Sequence, residues 1–244
     1  MHESGPAPGA PILERPVMRM RWHHLLFMHW PIDPQALRPL VPEPFEVDLF
    51  DGAAWVGLIP FTMTDVSPIR LPRIAIPAVT DFHECNVRTY VRRGDDRGVY
   101  FFSLDAASRL ATWGARRFFN LPYYTARISL NRQHDTITYS VDRRGDPTAR
   151  MRCRWSVGEE LPTSQPGDLA HFLTERYQLM TVDRQSRPMR CRIDHIRWPL
   201  RRATLHELEE SLLDSAGIDR PVAEPVLHHS DLLHTRAGRL EPMA

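Results

Sequence analysis

Short segments in which apolar and polar side chains alternate recur along most of this chain, and they constrain its fold more than any other feature. Three of them follow one another as ARISLNRQ, TITYSVDRR and ARMRCRWSV, with turn residues near His134-Asp135 and Gly145-Asp146 between them. A period of two is typical of strands that are buried on one face. Many short strands and few helices predict an α+β, mainly antiparallel β fold, either a barrel or a sandwich with peripheral helices.

The chain of 244 residues is long enough to bury a large core, and its sequence shows neither an internal repeat nor a low-complexity linker. We therefore expect a single domain over residues 18–237. The Pro- and Gly-rich residues 1–17 are predicted to be a flexible lead-in, and residues 238–244 a tail. No secretory signal is visible and no run approaches the ~20 apolar residues that span a bilayer, so we expect a cytoplasmic protein without a membrane partner.

Turn and capping residues predict where further elements begin and end. Asp51-Gly52 should join two strands into a hairpin, and residues 64–80 should form a long irregular connection. Helix starts are predicted at four places, which are Asp33, Asp105, Asp168 and a capping box of Thr204 with Glu207. The helix that Asp105 opens should end at Asn120, and the one after Thr204 at Gly217.

The charged residues exclude some functions. All 31 basic residues are arginine, because the sequence contains no lysine. Arginine stays protonated and is not an amine nucleophile, so no side chain of this sequence can form a Schiff base. The 30 acidic residues nearly cancel the arginines and leave a net charge of +1, which argues against a nucleic-acid partner.

Neither a metal nor a cofactor is indicated by the motifs. Cys85, Cys153 and Cys191 are far apart in sequence and form no CxxC pair. His23 and His29 share a strand face, but an extended strand separates them by about 20 Å. Since no GxGxxG, P-loop or GxSxG motif is present either, we expect no metal and no cofactor.

The strongest candidate site is the strand that contains Glu84, Asn86 and Arg88. These residues alternate with apolar neighbours, so one face of the strand is polar and the other apolar. Two interpretations remain open on the pattern alone. Either the polar face meets solvent, with Glu84 and Arg88 as a weak surface pair, or it lines a cavity. In a cavity, burial would raise the pKa of Glu84 and the guanidinium would lower it, a balance that suits proton transfer.

Five motifs carry a resemblance to a known family, namely DPQALRPLVPEPFEVD, FDGAAWVGLIPF, FHECNVRTYV, GVYFFSLDAASRLATWGARRFFNLPYY and ERYQLM. They resemble the uncharacterised DUF2071 family, also called the YqjF-like family, from about Arg21 to Arg236. That family belongs to the acetoacetate decarboxylase-like fold. The resemblance therefore implies a cone-shaped antiparallel β-barrel that encloses a pocket, with the polar face of the Glu84 strand pointing inward.

Comparison with acetoacetate decarboxylase itself shows where this sequence departs from the enzyme. Glu84 stands where the decarboxylase carries a pocket glutamate. Tyr123 and Tyr124 stand where it has two lysines, one of which is the Schiff-base nucleophile, and Pro31 stands in place of an arginine that helps to bind substrate. The resemblance therefore implies the pocket but not imine-based decarboxylation, since the amine is missing.

The remaining side chains predict what such a pocket could do. Tyr123 and Tyr124 could donate hydrogen bonds to a carbonyl or an oxyanion, and Glu84 could act as acid or base. The predicted substrate-binding residues are Asn86, Arg88, Trp113 and Arg116, although Trp113 also suits a core position. We expect a cofactor-free enzyme that acts on a small carbonyl or keto-acid-like metabolite by enolisation, dehydration, cyclisation or isomerisation. A lyase or isomerase of secondary metabolism would fit.

Two other functions remain open from the sequence. The same pocket residues fit a non-catalytic small-molecule-binding protein of the same fold, and a structural or regulatory role would leave the barrel filled. Relatives of this fold often assemble, so a homo-oligomer is expected.

Overall fold

The computed structural model describes residues 13–70, 80–108, 112 and 120–243. Within these ranges twelve strands form one continuous sheet. The strands are β1 Met18–Ile32, β2 Glu46–Val47, β3 Ala54–Pro68, β4 Phe82–Arg93, β5 Asp96–Ala106, β6 Tyr123–Gln133, β7 Thr136–Arg143, β8 Arg150–Glu160, β9 Gln178–Val182, β10 Pro188–His195, β11 Arg201–Glu210 and β12 Val226–Pro242. Short helices are α1 Pro34–Leu37, α2 Leu169–Thr174 and α3 Leu212–Ser215, with a 3₁₀ turn at Arg38–Leu40.

The sheet closes on itself twice around a shared wall. In the wall, β12, β1, β3, β4 and β5 pair antiparallel in that order. On one side, which we call the cavity side, β9 and β10 connect β5 back to β12. On the other, the packed side, β6, β7, β8 and β11 make the same connection. The predicted mainly antiparallel barrel with peripheral helices is confirmed, and β5 pairs in parallel with β6 and β9.

A β-bulge determines which side chains of β1 face the cavity side. His24 has a φ of 52° at a point where the register of β1 against β3 shifts. Trp22 before the bulge and Leu25 after it face the same cavity, although a regular period of two would have placed Leu26 there. Leu26 is instead buried in the core of the packed side. The bulge therefore determines that Leu25 faces the cavity and Leu26 the packed side.

The packed side holds the largest hydrophobic core of the described residues. Cys85 and Val87 of β4 are buried there against side chains of β7 and β8, among them Ile137, Tyr139 and Trp155. Burying one large apolar side chain of this kind contributes about 1.5–3 kcal/mol. Cys85 is therefore the small buried apolar residue that the alternation predicted.

Two local predictions about caps and turns can be compared with the structure. The side chain of Asp33 accepts a hydrogen bond from the backbone N–H of Gln35 at 2.8 Å, so the predicted N-cap of α1 is confirmed. Asp51 and Gly52 both have positive φ, as their tight turn requires. The hairpin around them is limited to the Phe50–Ala53 bridge, because β2 pairs with β4 and not with β3.

Two of the predicted helix starts are wrong. Thr204 and Glu207 lie in β11, where pairing with β8 overrides the capping signal because Leu205 and Leu208 pack against the core. Asp105 lies at the end of β5, buried inside the sheet. Most of the helix that Asp105 was predicted to open, residues 109–111 and 113–119, lies outside the described residues.

Two predicted boundaries also change. β3 continues through Pro68, so regular structure enters the segment expected to be irregular, of which residues 71–79 lie outside the described ranges. β12 continues through Pro242, which pairs with Met189, so strand structure extends past the expected domain boundary at residue 237. None of the helices in the described ranges is long and apolar enough to span a membrane.

Candidate functional site

A cavity of about 430 Å³ lies inside the ring of strands on the cavity side. Its wall is largely apolar, with side chains contributed by β1, β3, β4, β5, β9 and β10. Polar atoms reach the cavity from two strands, from Glu84, Asn86 and Arg88 of β4 and from Tyr123 of β6. A mostly apolar pocket with a few converging polar groups is the usual form of a small-molecule site.

Glu84 is the central titratable group of this cavity. Only 2% of the residue is exposed, and the Tyr123 hydroxyl donates a hydrogen bond to Glu84 Oε2 at 2.9 Å. Burial raises the pKa of Glu84 to about 8, the bond from Tyr123 opposes that rise, and the charge of Asp105 adds to it. Burial and the neighbouring Glu84 also raise the pKa of Tyr123 well above its usual range. Glu84 is thus mostly protonated at neutral pH, and it can lose its proton at a pH only slightly above neutral.

Asn86 follows Glu84 along the same strand face. Only 4% of it is exposed, and its Oδ1 atom has no hydrogen-bond partner among the described residues. Leaving a buried polar atom unpaired costs about 1–3 kcal/mol. A ligand that donates a hydrogen bond, through a hydroxyl or an N–H, would remove that cost.

Arg88 lies two residues further along the same face. Its Nη2 donates to the Leu173 carbonyl at 3.2 Å and to the Tyr90 hydroxyl at 3.4 Å, and its Cζ lies 5.5 Å from the centre of the Phe27 ring. No carboxylate of the described residues lies within ion-pair distance of it. Arg88 therefore presents a positive charge to the cavity that the described part of the chain does not neutralise.

A buried network holds Arg88 in this orientation. The Tyr90 hydroxyl donates to the Leu173 carbonyl at 2.6 Å, so it accepts from His29 Nε2 at 2.7 Å. Burial and the charge of Arg88 lower the pKa of His29 well below its usual range, which keeps this imidazole neutral. Gly57 makes room for it, since a Cβ at that position would lie 2.9 Å from His29 Cδ2.

Arg176 also borders the cavity but is already paired. Its Nη1 donates to Asp48 Oδ2 at 2.8 Å and its Nε to the Phe172 carbonyl at 2.7 Å. Both side chains of this ion pair are almost fully buried. Arg88 is therefore better placed than Arg176 to bind an anionic ligand.

On the opposite face of the wall, Asp105 forms a buried ion pair with Arg143. Both guanidinium contacts are short, 2.8 Å from Nε to Oδ1 and 2.7 Å from Nη2 to Oδ2. Burial raises the pKa of Asp105 and the bonds from Arg143 lower it. The Cζ of Arg143 lies 4.0 Å from the centre of the Tyr124 ring. This pair explains why Asp105 stays in the sheet and does not cap a helix.

The end of the cavity that lies away from Arg88 is lined by aromatic side chains. Trp22 stacks on Trp198 with ring centres 5.7 Å apart and lies edge-to-face against Phe61 at 6.1 Å. In the register of the sheet, Trp22 pairs with Met63 and Met63 pairs with Phe82. Phe82 lies two residues before Glu84, so this apolar end is on the side of Glu84 away from Arg88.

One group of three residues in the described ranges has the spacing of a metal site. Ligand atoms of His24, His229 and Asp231 lie within 4.8 Å of one another. Arg132 Nη1, however, lies 3.2 Å from His24 Nδ1 and 3.3 Å from Asp231 Oδ1, so a guanidinium already occupies the place of a cation. Trp155 Nε1 donates to His229 Nδ1, which leaves the proton on Nε2, the atom that faces Asp231. We assign no metal to this cluster.

The structure brings together four of the residues predicted for the site. Glu84, Asn86, Arg88 and Tyr123 line one cavity, so the interpretation of this strand face as solvent-exposed is replaced by the cavity interpretation. Tyr124 does not join them: it is 37% exposed, because adjacent strand residues point to opposite faces. The expectation that both tyrosines face the pocket is corrected to Tyr123 alone.

Two other predicted binding residues, Trp113 and Arg116, lie outside the described residues. The sequence reasoning missed the aromatic residues Trp22, Phe61 and Trp198. A signal for Trp22 was present in the alternation of Met18, Met20 and Trp22, but the bulge at His24 interrupts that pattern.

Comparison with known proteins gives a family and a fold. The sequence matches the DUF2071 family, described as an uncharacterized conserved protein, over residues 19–234. It is 38% identical over 214 residues to the uncharacterized protein YqjF of Bacillus subtilis (strain 168), which covers 88% of this chain and 87% of that protein.

Two solved structures illustrate the fold. The enduracididine biosynthesis enzyme MppR complexed with pyruvate is similar with a TM-score of 0.67 at 13% identity, over 99% of both chains. An acetoacetate decarboxylase-like enzyme from Sphingomonas wittichii RW1 has a TM-score of 0.63 at 14% identity, over 97% of this chain and 99% of that one. At such low identity these similarities establish the fold alone.

Proposed function

The chain belongs to the DUF2071 family and has the acetoacetate decarboxylase-like fold, and from this premise we propose that it is a cofactor-free enzyme that acts on a small carbonyl compound by acid–base chemistry. The observation that carries the proposal is the buried carboxyl of Glu84, held by Tyr123 inside an apolar cavity with a pKa of about 8. Catalytic acids and bases work best when their pKa lies near the working pH.

In the proposed reaction Glu84 moves a proton next to a carbonyl group. As a carboxylate it takes a proton from the neighbouring carbon, the C–H electron pair forms a C=C bond, and the carbonyl π pair moves to oxygen. If the proton on Glu84 exchanges with solvent before a proton returns to the same carbon, the result is hydrogen exchange. If the enolate is conjugated with a further C=C bond, return of the proton to the far carbon isomerises the compound. In its protonated form Glu84 donates a hydrogen bond to the carbonyl oxygen. Tyr123 holds Oε2, so Oε1 is the atom directed to the ligand.

Two structural neighbours favour this class of substrate. One neighbour is described as a biosynthesis enzyme complexed with pyruvate, and another as acetoacetate decarboxylase-like. The present sequence contains no lysine, so we propose chemistry without a Schiff base. Arg88 would bind the acid group of an oxo acid by charge-assisted hydrogen bonds.

Proton exchange in D₂O tests the proposal directly. Oxo acids such as pyruvate and benzoylpentanoate would be followed by NMR for loss of the proton signals next to the carbonyl. We expect the protein to catalyse exchange for at least one of them, and Glu84→Gln to slow it by about 10²–10⁴-fold. Glu207→Gln is the matched control, because Glu207 lies on β11 and forms an exposed ion pair with Arg154 of β8.

Two outcomes would contradict the proposal. Undiminished exchange by Glu84→Gln would remove Glu84 from the chemistry. Ligand binding without exchange of any compound would favour the second candidate, a non-catalytic binding protein, which the unpaired Oδ1 of Asn86 and the unneutralised charge of Arg88 equally suit.

A further inference from the structure

The polar groups of the cavity are arranged in a line along β4. Arg88, Asn86, Glu84 and Phe82 follow one another on a single face, two residues apart. Each step of two residues covers about 6.6 Å of strand. A ligand that contacts this line meets a positive charge, an amide, an acid–base group and an aromatic wall, in that order.

The charge and the acid–base group are far apart. The Cα atoms of Arg88 and Glu84 are separated by roughly 13 Å along the strand. The Arg88 guanidinium is held at its own end of this face by the Leu173 carbonyl and the Tyr90 hydroxyl. Hydrogen bonds of about 3 Å at each end leave roughly 7 Å for the ligand itself, which is about five or six carbon–carbon bonds.

Short oxo acids cannot fill this spacing. In pyruvate or acetoacetate the carboxylate lies one or two bonds from the carbonyl carbon, so a molecule whose carboxylate binds Arg88 leaves its carbonyl beside Asn86. A carbonyl at that position is one strand step, about 6.6 Å, short of Glu84 and out of reach of its carboxyl.

From this arrangement we infer that the natural substrate class is an elongated oxo acid, with a carboxylate at Arg88, a carbonyl at Glu84 about five or six bonds away, and an aryl or similarly bulky apolar group beyond it. The inference rests on the proposed function for the identity of the reacting carbonyl. Trp22, Phe61 and Phe82 form the pocket for the apolar group, where offset or edge-to-face ring contacts are available. A cavity of about 430 Å³ is large enough for such a molecule.

A homologous series of ligands tests the inferred length. Isothermal titration calorimetry would measure the affinities of pyruvate, benzoylpropionate, benzoylpentanoate and benzoylheptanoate, in which the benzoyl group ends the chain. Three, five and seven bonds separate the carboxyl carbon from the carbonyl carbon in the three benzoyl acids. We expect benzoylpentanoate to bind at least tenfold more tightly than benzoylpropionate and pyruvate.

The charge requirement is tested by esters and by one variant. The methyl ester of benzoylpentanoate should bind about ten- to a hundredfold more weakly than the acid, since hydrogen bonds to charged groups contribute about 1.5–3 kcal/mol. In Arg88→Met the acid and the ester should bind equally. Arg127→Met, on the exposed outer face of β6, should leave the acid's advantage unchanged. The acid-to-ester comparison uses the unmodified protein, so the test stands even if Arg88→Met folds poorly.

The outcomes separate this inference from the proposed function. Equal or tighter binding of pyruvate and benzoylpropionate would overturn the inferred length, and an ester as tight as the acid would overturn the role of Arg88. Tight, Arg88-dependent binding of benzoylpentanoate without proton exchange would contradict the enzymatic proposal while the inferred ligand class stands. Exchange of pyruvate protons together with weak binding of the long acids would contradict the inferred ligand class, while the enzymatic proposal stands.

Discussion

The two sides of the shared wall use the same strand for opposite purposes. On β4, Cys85 and Val87 point to the packed side, where apolar side chains fill the space. Glu84 and Asn86 point to the cavity side, where polar atoms are buried without full pairing. One side of the wall is therefore filled by apolar side chains, whereas the other keeps an empty space and a carboxyl without an ion-pair partner among the described residues.

Two buried carboxyls make the contrast sharper. Asp105 on the packed side has two short bonds from Arg143, whereas Glu84 on the cavity side is held by a neutral hydroxyl. Proteins retain strained or unpaired polar groups where ligands bind, and the rest of the fold stabilises them.

The largest expected effect is the pH dependence that Glu84 gives to stability. Its pKa rises from 4.5 in the unfolded chain to about 8 in the folded one, so the unfolded state loses its proton first. Stability due to this group is complete below pH 4.5 and declines as the pH rises through 8, by at most about 5 kcal/mol. Urea unfolding between pH 5 and 9 should show the decline in the unmodified protein but not in Glu84→Gln. An identical pH profile for both proteins would refute the raised pKa.

On the packed side, Arg143→Met should destabilise the protein by about 3–5 kcal/mol, because it leaves the buried carboxylate of Asp105 unpaired. Adding Asp105→Leu to the same protein should restore much of the loss, since both charges are then gone. The measurement is the free energy of unfolding of the single and double variants at neutral pH. No recovery in the double variant would mean that the pair contributes more than the cost of an unpaired charge.

A matched pair of isoleucines compares packing on the two sides. Ile137 is fully buried in the packed core, and Ile59 is 1% exposed but borders the cavity. Ile137→Ala should cost about 2–5 kcal/mol, and Ile59→Ala roughly half as much, because the atoms it removes already face an empty space. Urea unfolding of both variants decides this. Equal costs would indicate that the cavity side is packed as tightly as the other.

The sequence predicted the wall of the cavity better than its ends. Alternation along residues 84–91 placed Glu84, Asn86 and Arg88 on one face, because a period of two follows from strand geometry alone. It could not show that the aromatic end includes Trp198, because Trp198 lies outside the strands and alternation does not apply to it. The bulge at His24 needs a positive φ, which is uncommon for any residue other than glycine, so the local sequence does not predict it.

The errors have a common physical cause in long-range contacts. Thr204 and Glu207 form a local capping signal for a helix. Pairing with β8 packs Leu205 and Leu208 against the core, and this stabilises the strand more than the capping signal stabilises a helix. Asp105 is a good N-cap by type, and only its distant partner Arg143, 38 residues later, explains why it remains in a strand. Local preferences of this kind amount to about 1 kcal/mol or less per residue, and tertiary contacts readily exceed them.

The smallest expected effect separates two neighbouring tyrosines across the wall. The bond from the Tyr123 hydroxyl lowers the pKa of Glu84, so Tyr123→Phe should raise that pKa further, by about one unit if the bond contributes the usual 1–1.5 kcal/mol. Tyr124→Phe should leave it unchanged, because Tyr124 is exposed on the other face. The measurement is the pH midpoint of Glu84 by carbon-detected NMR of the labelled carboxyl. If both variants shifted the midpoint equally, the wall would not insulate Glu84 from the packed side, and the division of roles between its two faces would fail.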